Sequence, residues 1–208
     1  GFLNETRPGT DADYRAGLDC IKIPLVTHEV GQYNVFPNLA EISKYDGALR
    51  NLGYEAIRDD LQKRGRLADA GRYTRDSGKL AALLYKEDIE RALRTKDQAG
   101  IPLLDLHDFP GQSTATVGLL DAFWDSKGII TPDEFRRFCS PTVPLVRLPK
   151  LIYQNSETLE ATVEIAHFGP APLTNITAVW TMRDGVRSVG QGQFKVPVVP
   201  LGNGTQLG

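Results

Sequence analysis

Two short apolar segments, each ending in acidic and histidine residues, constrain the fold of this chain more than any other feature. The first is IKIPLVTHE at residues 21–29, and the second is IPLLDLHDF at residues 101–109. Their apolar residues are largely consecutive, as in parallel strands that helices cover on both faces. Because helical patterns follow each segment, the sequence predicts two βα units.

Helical patterns fill much of the sequence between these two predicted strands. Residues 38–65 are predicted to be helical, with Asn38 as the N-cap and Gly65 as the stop. Residues 66–77 are predicted to form a connector. The clearest periodicity spans residues 78–100, where leucine and isoleucine recur at close to helical spacing.

After the second predicted strand the sequence changes character. Residues 116–128 are predicted to form a helix, and TPDEFRRFC begins with a capping box in which Glu134 follows Thr131. Beyond about residue 143 the segments become short, alternating and punctuated by Gly, Pro and Asn, which is typical of a β-sandwich. We therefore expect a domain boundary within residues 143–150.

Composition and charge exclude several classes of function. The formal net charge is −2, without a broad basic field, which disfavours nucleic acid as a partner. No apolar run reaches about 18 residues, so no membrane-spanning segment is predicted. Cys20 and Cys139 are compatible with two free buried thiols or with a disulfide, because spacing alone does not decide pairing.

Polar and ionisable side chains that could bind a ligand or take part in catalysis cluster where the two predicted strands end. The first cluster comprises His28, Glu29, Gln32 and Tyr33, and the second comprises Asp105, His107, Asp108 and Gln112. If the strands are parallel neighbours, both clusters lie at one edge, and ligands bind at the carboxyl ends of such strands.

This set of residue types suits a carbohydrate site. Glycoside cleavage needs two carboxyl groups that flank the sugar, one as proton donor and the other as nucleophile or base. Carboxylates, imidazoles and amides also satisfy sugar hydroxyls, which both donate and accept hydrogen bonds. The sequence therefore predicts a carbohydrate partner and no cofactor.

Each residue also has a structural interpretation that the sequence leaves open. Glu29 is equally compatible with a simple ion pair, and Asp105 and Asp108 with capping or turn formation. The histidines are compatible with structural hydrogen bonding, and Trp124 with helix packing. Several of these residues are metal-capable, but no fixed metal-binding spacing such as HExxH is present, so no metal is predicted.

Three stretches resemble the glycoside hydrolase family 2 group, which contains β-galactosidases, β-mannosidases and β-glucuronidases. IPLVTHEVGQY resembles its seventh barrel strand, GIPLLDLHDFPGQ its eighth, and SKGIITPDEFRRF the segment that leads into a β-sandwich. The resemblance implies that Glu29 is the catalytic nucleophile. It also implies that the second cluster lines the sugar site, although the tryptophan usual on the eighth strand is absent.

The resemblance implies a fold class of α/β followed by all-β. Residues 1–145 would be the C-terminal part of a TIM-barrel-like catalytic domain, and residues 146–208 a truncated immunoglobulin-like β-sandwich. Two βα units cannot close a barrel, which needs about 250 residues. The chain is thus expected to be a segment of a longer protein, with self-association through its open strand edges.

The implied function is that of a retaining exo-glycoside hydrolase acting on oligo- or polysaccharides. The family's acid/base glutamate follows an asparagine on its fourth strand, and Asn4-Glu5 lacks that context. The proton donor is therefore expected outside this chain, so that the segment alone would be inactive. A periplasmic or secreted location is expected for the parent protein. The alternatives are a non-catalytic carbohydrate-binding or structural module and, more weakly, a metal-dependent hydrolase.

Overall fold

A computed structural model describes residues 8–109 and 115–208. Within these ranges the chain forms two compact units. Unit 1 comprises the N-terminal segment to Val26, Ile89–Gly100 and Arg136–Gly208, and unit 2 comprises Thr27–Asp88 and Ile101–Phe135. The predicted division at residue 145 stays a prediction.

The described elements are short apart from one long helix and one long hairpin. The α-helices are α1 (Arg15–Leu18), α2 (Leu52–Lys63), α3 (Ala70–Arg94) and α4 (Pro132–Arg136), with 3-10 turns at Leu39–Lys44 and Leu67–Asp69. The strands are β1 (Leu25–Val26), β2 (Val30–Gly31), β3 (Gln98–Gly100), β4 (Leu103–Leu104), β5 (Thr142–Arg147), β6 (Thr162–His167), β7 (Leu173–Asp184), β8 (Arg187–Val199) and β9 (Gly202–Gln206).

The two regions pair in parallel, but in two short stretches that only partly coincide with the predicted segments, because β3 precedes residues 101–109 and β2 follows Glu29. In unit 1, β1 pairs with β3 in parallel, and in unit 2, β2 pairs with β4 in parallel. The first predicted strand is interrupted between β1 and β2, where Glu29 adopts φ 57°, outside the extended region. Prolines also limit the ladders, because Pro24 and Pro102 have no backbone N–H to donate.

The predicted helix over residues 38–65 is two helices. Asn38 caps the 3-10 turn, and its side chain accepts a hydrogen bond from the backbone N–H of Ala40. Asn51 caps α2 in the same way, through the N–H of Tyr54. The interruption includes Asp46-Gly47, a pair that favours turns over helix.

The connector predicted for residues 66–77 is wrong, because α3 begins at Ala70. Gly78 therefore lies inside the helix. A Cβ at Gly78 would lie 2.2 Å from Cγ2 of Ile129, so the glycine allows this side chain to approach the helix closely. Tertiary packing thus offsets the unfavourable helix propensity of glycine.

The helix predicted for residues 116–128 is also wrong. In its place Asp121 organises a turn, and its Oδ1 accepts hydrogen bonds from the N–H groups of Phe123 (2.8 Å) and Asp125 (3.0 Å). Trp124 has φ 69°, which no right-handed helix accommodates. The capping box is confirmed, since Thr131 N–H donates to Glu134 Oε2 at 2.8 Å and Glu134 N–H donates to Thr131 Oγ1 at 3.2 Å.

Unit 1 contains two antiparallel sheets. One has the strand order β5-β6-β9, and the other is the β7–β8 hairpin. Val143, Leu145 and Ala166 form a buried cluster on the first sheet. The sheets of the described residues have two or three strands each, so the partial barrel followed by a sandwich stays a prediction.

Two further sequence expectations bear on the whole chain. Cys20 and Cys139 are free thiols, and Cys20 is exposed rather than buried, which settles the open choice against a disulfide. Among residues 8–109 and 115–208, no helix combines the length and apolarity that crossing a bilayer requires.

Candidate functional site

The candidate site lies in unit 2, where β2 and β4 run side by side. Val30 N–H donates to the carbonyl of Pro102 at 3.0 Å, and Gln32 N–H donates to that of Leu104 at 2.8 Å. Residues 28–33 flank and include β2, and residues 105–109 follow β4; we call these two stretches together the β2–β4 rim. The parallel pairing brings Gln32 and Asp105 to the same end of the two strands, whereas His28 and Glu29 precede β2, so the adjacency of the two whole clusters stays a prediction.

Glu29 presents its carboxylate at the surface of this rim. Its side chain is 47% exposed, and its Oε1 lies 3.7 Å from Nδ1 of His28, whose side chain is 87% exposed. Gln32 Nε2 donates to Glu29 Oε2 at 2.8 Å. A neutral amide thus orients the carboxylate without removing it from solvent.

A glycine and a tyrosine support the backbone beneath Glu29. Gly31 has φ 117°, and a Cβ there would lie 2.2 Å from Cε1 of Tyr85. The Tyr85 hydroxyl donates to the carbonyl of Val117 at 2.5 Å, and burial raises the pKa of Tyr85 to about 12. No side chain fits at position 31, so glycine is required for this contact.

Tyr33 is directed into this support. Its hydroxyl donates to Asp88 Oδ2 at 2.7 Å, and its ring meets that of Tyr85 edge to face at a centroid distance of 5.3 Å. The structure therefore gives Tyr33 a role beneath the rim, while its predicted contact with a sugar stays a prediction.

Asp105 and His107 follow β4 and are half-buried. Asp105 Oδ1 accepts a hydrogen bond from the N–H of Leu106 at 2.7 Å. His107 Nδ1 lies 2.6 Å from the carbonyl oxygen of Asp108, and because a carbonyl only accepts, Nδ1 carries the proton. In the neutral ring Nε2 is then an acceptor, suited to a hydroxyl group.

Asp108 lies below the surface, with 4% of the residue exposed. Its Oδ1 accepts from the N–H of Gly118 at 2.9 Å and from Lys127 Nζ at 2.6 Å. Burial raises its pKa, and the Lys127 ammonium opposes that rise. Within residues 8–109 and 115–208 its Oδ2 has no hydrogen-bond partner. Gln112 lies outside the described residues.

Sequence reasoning missed a buried carboxyl cluster formed by Glu41, Asp108 and Asp121. Glu41 is 2% exposed, and burial together with the charges of Asp121 and Asp108 raises its pKa to about 7. Lys44 bonds to Asp121 and also to Asp125, the latter at 2.7 Å. No local pattern marks Glu41, because it occupies a stretch that reads as an ordinary amphipathic helix.

The acidic and imidazole side chains of the described ranges form no metal centre. Among those residues, no group of three or more His, Cys, Asp or Glu side chains is placed to hold an ion. The rim therefore offers an exposed carboxylate, a half-buried carboxylate, an imidazole and an amide, a set suited to hydroxyl groups.

Comparison with known families gives one match. A family described as a domain of unknown function, DUF8488, matches residues 157–208. The match covers less than half of the chain and lies beyond the β2–β4 rim. No curated protein matches the sequence.

Proposed function

We propose that this chain is part of a retaining exo-glycoside hydrolase acting on oligo- or polysaccharides, with Glu29 as the nucleophile. The observation that supports this most is the position of the Glu29 carboxylate. It is exposed at the surface and oriented by the amide of Gln32, a residue that follows β2, the strand paired in parallel with β4.

The chemistry follows from an oriented carboxylate next to hydrogen-bonding groups. One oxygen of Glu29 attacks the anomeric carbon while the bond from that carbon to the leaving oxygen breaks, and a covalent glycosyl-enzyme results. A proton donor supplies the leaving oxygen with a proton. Water then releases the sugar, with the same donor acting as base. Oε1 of Glu29 is the oxygen not bonded to Gln32, which makes it the attacking atom.

The remaining rim residues bind hydroxyl groups. Asp105 accepts hydrogen bonds from the sugar, and Nε2 of His107 accepts one more. Asp108 acts through the backbone, because its bond to Gly118 N–H fixes the turn that approaches His107. No residue of this chain is assigned as the proton donor, which agrees with the family resemblance.

We predict that Glu29→Gln abolishes turnover in the full-length gene product that contains this chain. The amide keeps the shape of the side chain and one oxygen that can accept from Gln32 Nε2, but it is not a nucleophile. A loss of at least about 10³-fold in kcat is expected, with substrate binding retained. Hydrolysis of nitrophenyl β-glycosides, together with a separate binding measurement, gives both quantities.

Covalent labelling provides the decisive readout. A 2-deoxy-2-fluoro glycosyl fluoride should add one sugar to Glu29, located by peptide mass spectrometry, and Glu29→Gln should take up none. Glu55→Gln, which changes a carboxylate on α2, is the matched control and should be labelled normally. Near-normal turnover in Glu29→Gln, or a label on another residue, would contradict the assignment.

A non-catalytic carbohydrate-binding module is the second candidate. It is favoured by the burial of Asp108 in an ion pair, which leaves Glu29 and Asp105 as the carboxylates at the rim surface. That module binds sugar with neither turnover nor covalent labelling, so the same two experiments distinguish it from the enzyme.

A further inference from the structure

A cleft of about 730 Å³ lies within unit 1. Its walls come from three parts of the chain, within residues 15–25, at residues 96–99, and at Phe168 with residues 201–203. Small-molecule sites in proteins commonly have volumes of about 300–1,000 Å³. The cleft is therefore large enough for a small ligand, and it shares no residue with the β2–β4 rim.

Part of the cleft wall is apolar and open to solvent. Ile23, Phe168 and Leu201 all line the cleft, and they are 75%, 44% and 52% exposed. Covering apolar surface of this kind is favourable because it removes the surface from water. A ligand with an apolar body would cover side chains from three separate parts of the chain at once.

Two lysines in the same cleft have unused hydrogen-bond donors. Lys22 and Lys96 both line it. The Lys22 ammonium donates to the backbone carbonyl of Asp19 at 2.9 Å, and within residues 8–109 and 115–208 Lys96 has no ion-pair partner. An ammonium has three donors, so both side chains can still bind an anion.

The charges that line the cleft favour an anion with a single charge. Arg15 lines it as well, and its Nη2 lies 4.0 Å from Asp97 Oδ2 in an exposed pair that contributes little to stability. Asp19 and Asp97 are the acidic residues of the lining. Three cations against two carboxylates leave one positive charge in excess. A carboxylate balances that charge, whereas a phosphate monoester, with a charge of about −1.5 to −2 at pH 7, exceeds it.

The backbone around Lys96 is fixed from both sides. Asn203 Oδ1 accepts from the N–H of Asp97 at 3.0 Å, and Asn203 Nδ2 donates to the carbonyl of Thr95 at 2.6 Å. The Lys96 side chain also passes close to Gly204, where an added Cβ would lie 3.3 Å from the Cβ of Lys96. A cation whose base is already positioned loses less conformational freedom when a ligand binds.

We propose that this cleft binds an aliphatic monocarboxylate. Its hydrocarbon body lies against Ile23, Phe168 and Leu201, and its carboxylate lies among Arg15, Lys22 and Lys96. Binding sites commonly combine an apolar lining with a few polar groups that fix orientation. The inference goes beyond the proposed function, because both the site and the class of ligand differ from those of the rim.

Four probes separate the contributions of the apolar body and the anionic group. Decanoate, decanol and decyl phosphate have the same chain and differ in charge, while acetate has the carboxylate without the chain. In calorimetric titration of the full-length gene product, below the concentrations at which micelles form, decanoate should bind at least about tenfold more tightly than the other three. Its affinity should fall as salt is added, because salt screens the cations.

Two variants test the two parts of the site. Lys96→Gln should weaken decanoate about tenfold and leave decanol unchanged, a difference that a merely structural lysine would not produce. Ile23→Ser should weaken both ligands. Lys195→Gln is the matched control, because it removes one exposed positive charge of unit 1, on β8, outside the cleft. All three variants should keep the thermal unfolding midpoint of the unmodified protein.

Loss of the preference for decanoate over decanol in Lys96→Gln, but not in Lys195→Gln, supports the site. Equal binding of decanoate and decanol to the unmodified protein overturns it, and so does tighter binding of decyl phosphate. Absence of binding by all four probes, or unchanged decanoate affinity in both Lys96→Gln and Ile23→Ser, overturns it as well.

Discussion

Of the five non-glycine residues with positive φ in the described ranges, three lie at or beside the β2–β4 rim, and the other two are Asp97 and Asn175. Glu29, Gln32 and Trp124 have φ values of 57°, 70° and 69°. Each such residue costs on the order of 1 kcal/mol relative to glycine. In a chain whose total stability is about 5–15 kcal/mol, three of them are a substantial cost. The strain is thus consistent with selection for side-chain placement rather than for stability.

A second residue-scale feature is the buried Glu41 carboxyl, whose pKa lies at about 7 instead of 4.5. The folded state therefore binds this proton more tightly than the unfolded chain does. Stability from this group is complete below about pH 4.5 and is lost as the pH rises to about 7. The loss above pH 7 is on the order of 3 kcal/mol.

We predict that Glu41→Gln is more stable than the unmodified protein at pH 8 and about equally stable at pH 4.5. Glutamine reproduces the size and polarity of the protonated acid but does not ionise. Urea unfolding at a series of pH values measures the difference directly. Exposed Glu160→Gln is the control for the loss of one carboxylate. A difference that does not vary with pH would contradict the assigned pKa.

The sequence patterns predicted some of the candidate residues and gave no sign of others. Glu29, Asp105 and His107 were identifiable because they follow apolar strand patterns, and the ends of strands are local features. Glu41 was not, because its pKa is raised partly by Asp108 and Asp121, which follow it by more than sixty positions in the sequence. The exposure of Trp124 was missed because residues 116–128 have an apolar spacing that also fits a helix.

At the scale of elements, the two glycines of α3 differ in whether a side chain at their position would clash with its surroundings. Gly78 meets Ile129, whereas a Cβ at Gly71 in the same helix would meet nothing within 4 Å. Replacing glycine by alanine in a helix gains about 1 kcal/mol. Overpacking against a β-branched side chain costs about 1–3 kcal/mol, so the two positions should respond with opposite signs.

We therefore predict that Gly78→Ala destabilises the protein by about 1 kcal/mol, while Gly71→Ala stabilises it by up to about 1 kcal/mol. Thermal and urea unfolding measure both changes. Adding Ile129→Ala to Gly78→Ala removes the clash, so the two substitutions together should cost less than the sum of their separate effects. Additive effects would show that Ile129 is not the obstacle.

Helix termini were easier to predict than helix lengths. The Asn38 cap and the Thr131–Glu134 capping box join residues two or three positions apart, so the local sequence contains the whole interaction. The sequence analysis placed the start of α3 too late, because Gly71 and Gly78 favoured a connector. Packing against residues outside that segment, such as Ile129 against Gly78, favours the helix. Apolar patterning predicted parallel neighbours in these two regions, but it predicted neither the shortness of the strands nor the position of β2 after Glu29.

On the scale of the whole molecule, the β7–β8 hairpin of unit 1 leaves much apolar surface uncovered. Val179, Val189 and Val198 are 72%, 52% and 52% exposed. Within the described residues each strand pairs only with the other, so both have an open edge. Open, apolar edges favour pairing with another chain.

We predict concentration-dependent self-association through this hairpin, measurable as a rise in mass by light scattering. Val179→Glu should reduce it, because a charge within the ladder opposes edge pairing. Val186→Glu is the matched control, since Val186 is 98% exposed in the turn between β7 and β8 and makes no ladder contact. A single mass at all concentrations, or equal effects of the two substitutions, would contradict this role of the hairpin.

The left-handed residues have an evolutionary consequence. If these side chains had no function, mutation to asparagine at positions 29, 32 and 124 would be favoured, because asparagine tolerates the left-handed region better than these residues do. Orthologues in which these side chains have no function would therefore lose both Glu29 and Trp124. Lineages that retain both are the ones in which purifying selection still acts on these side chains.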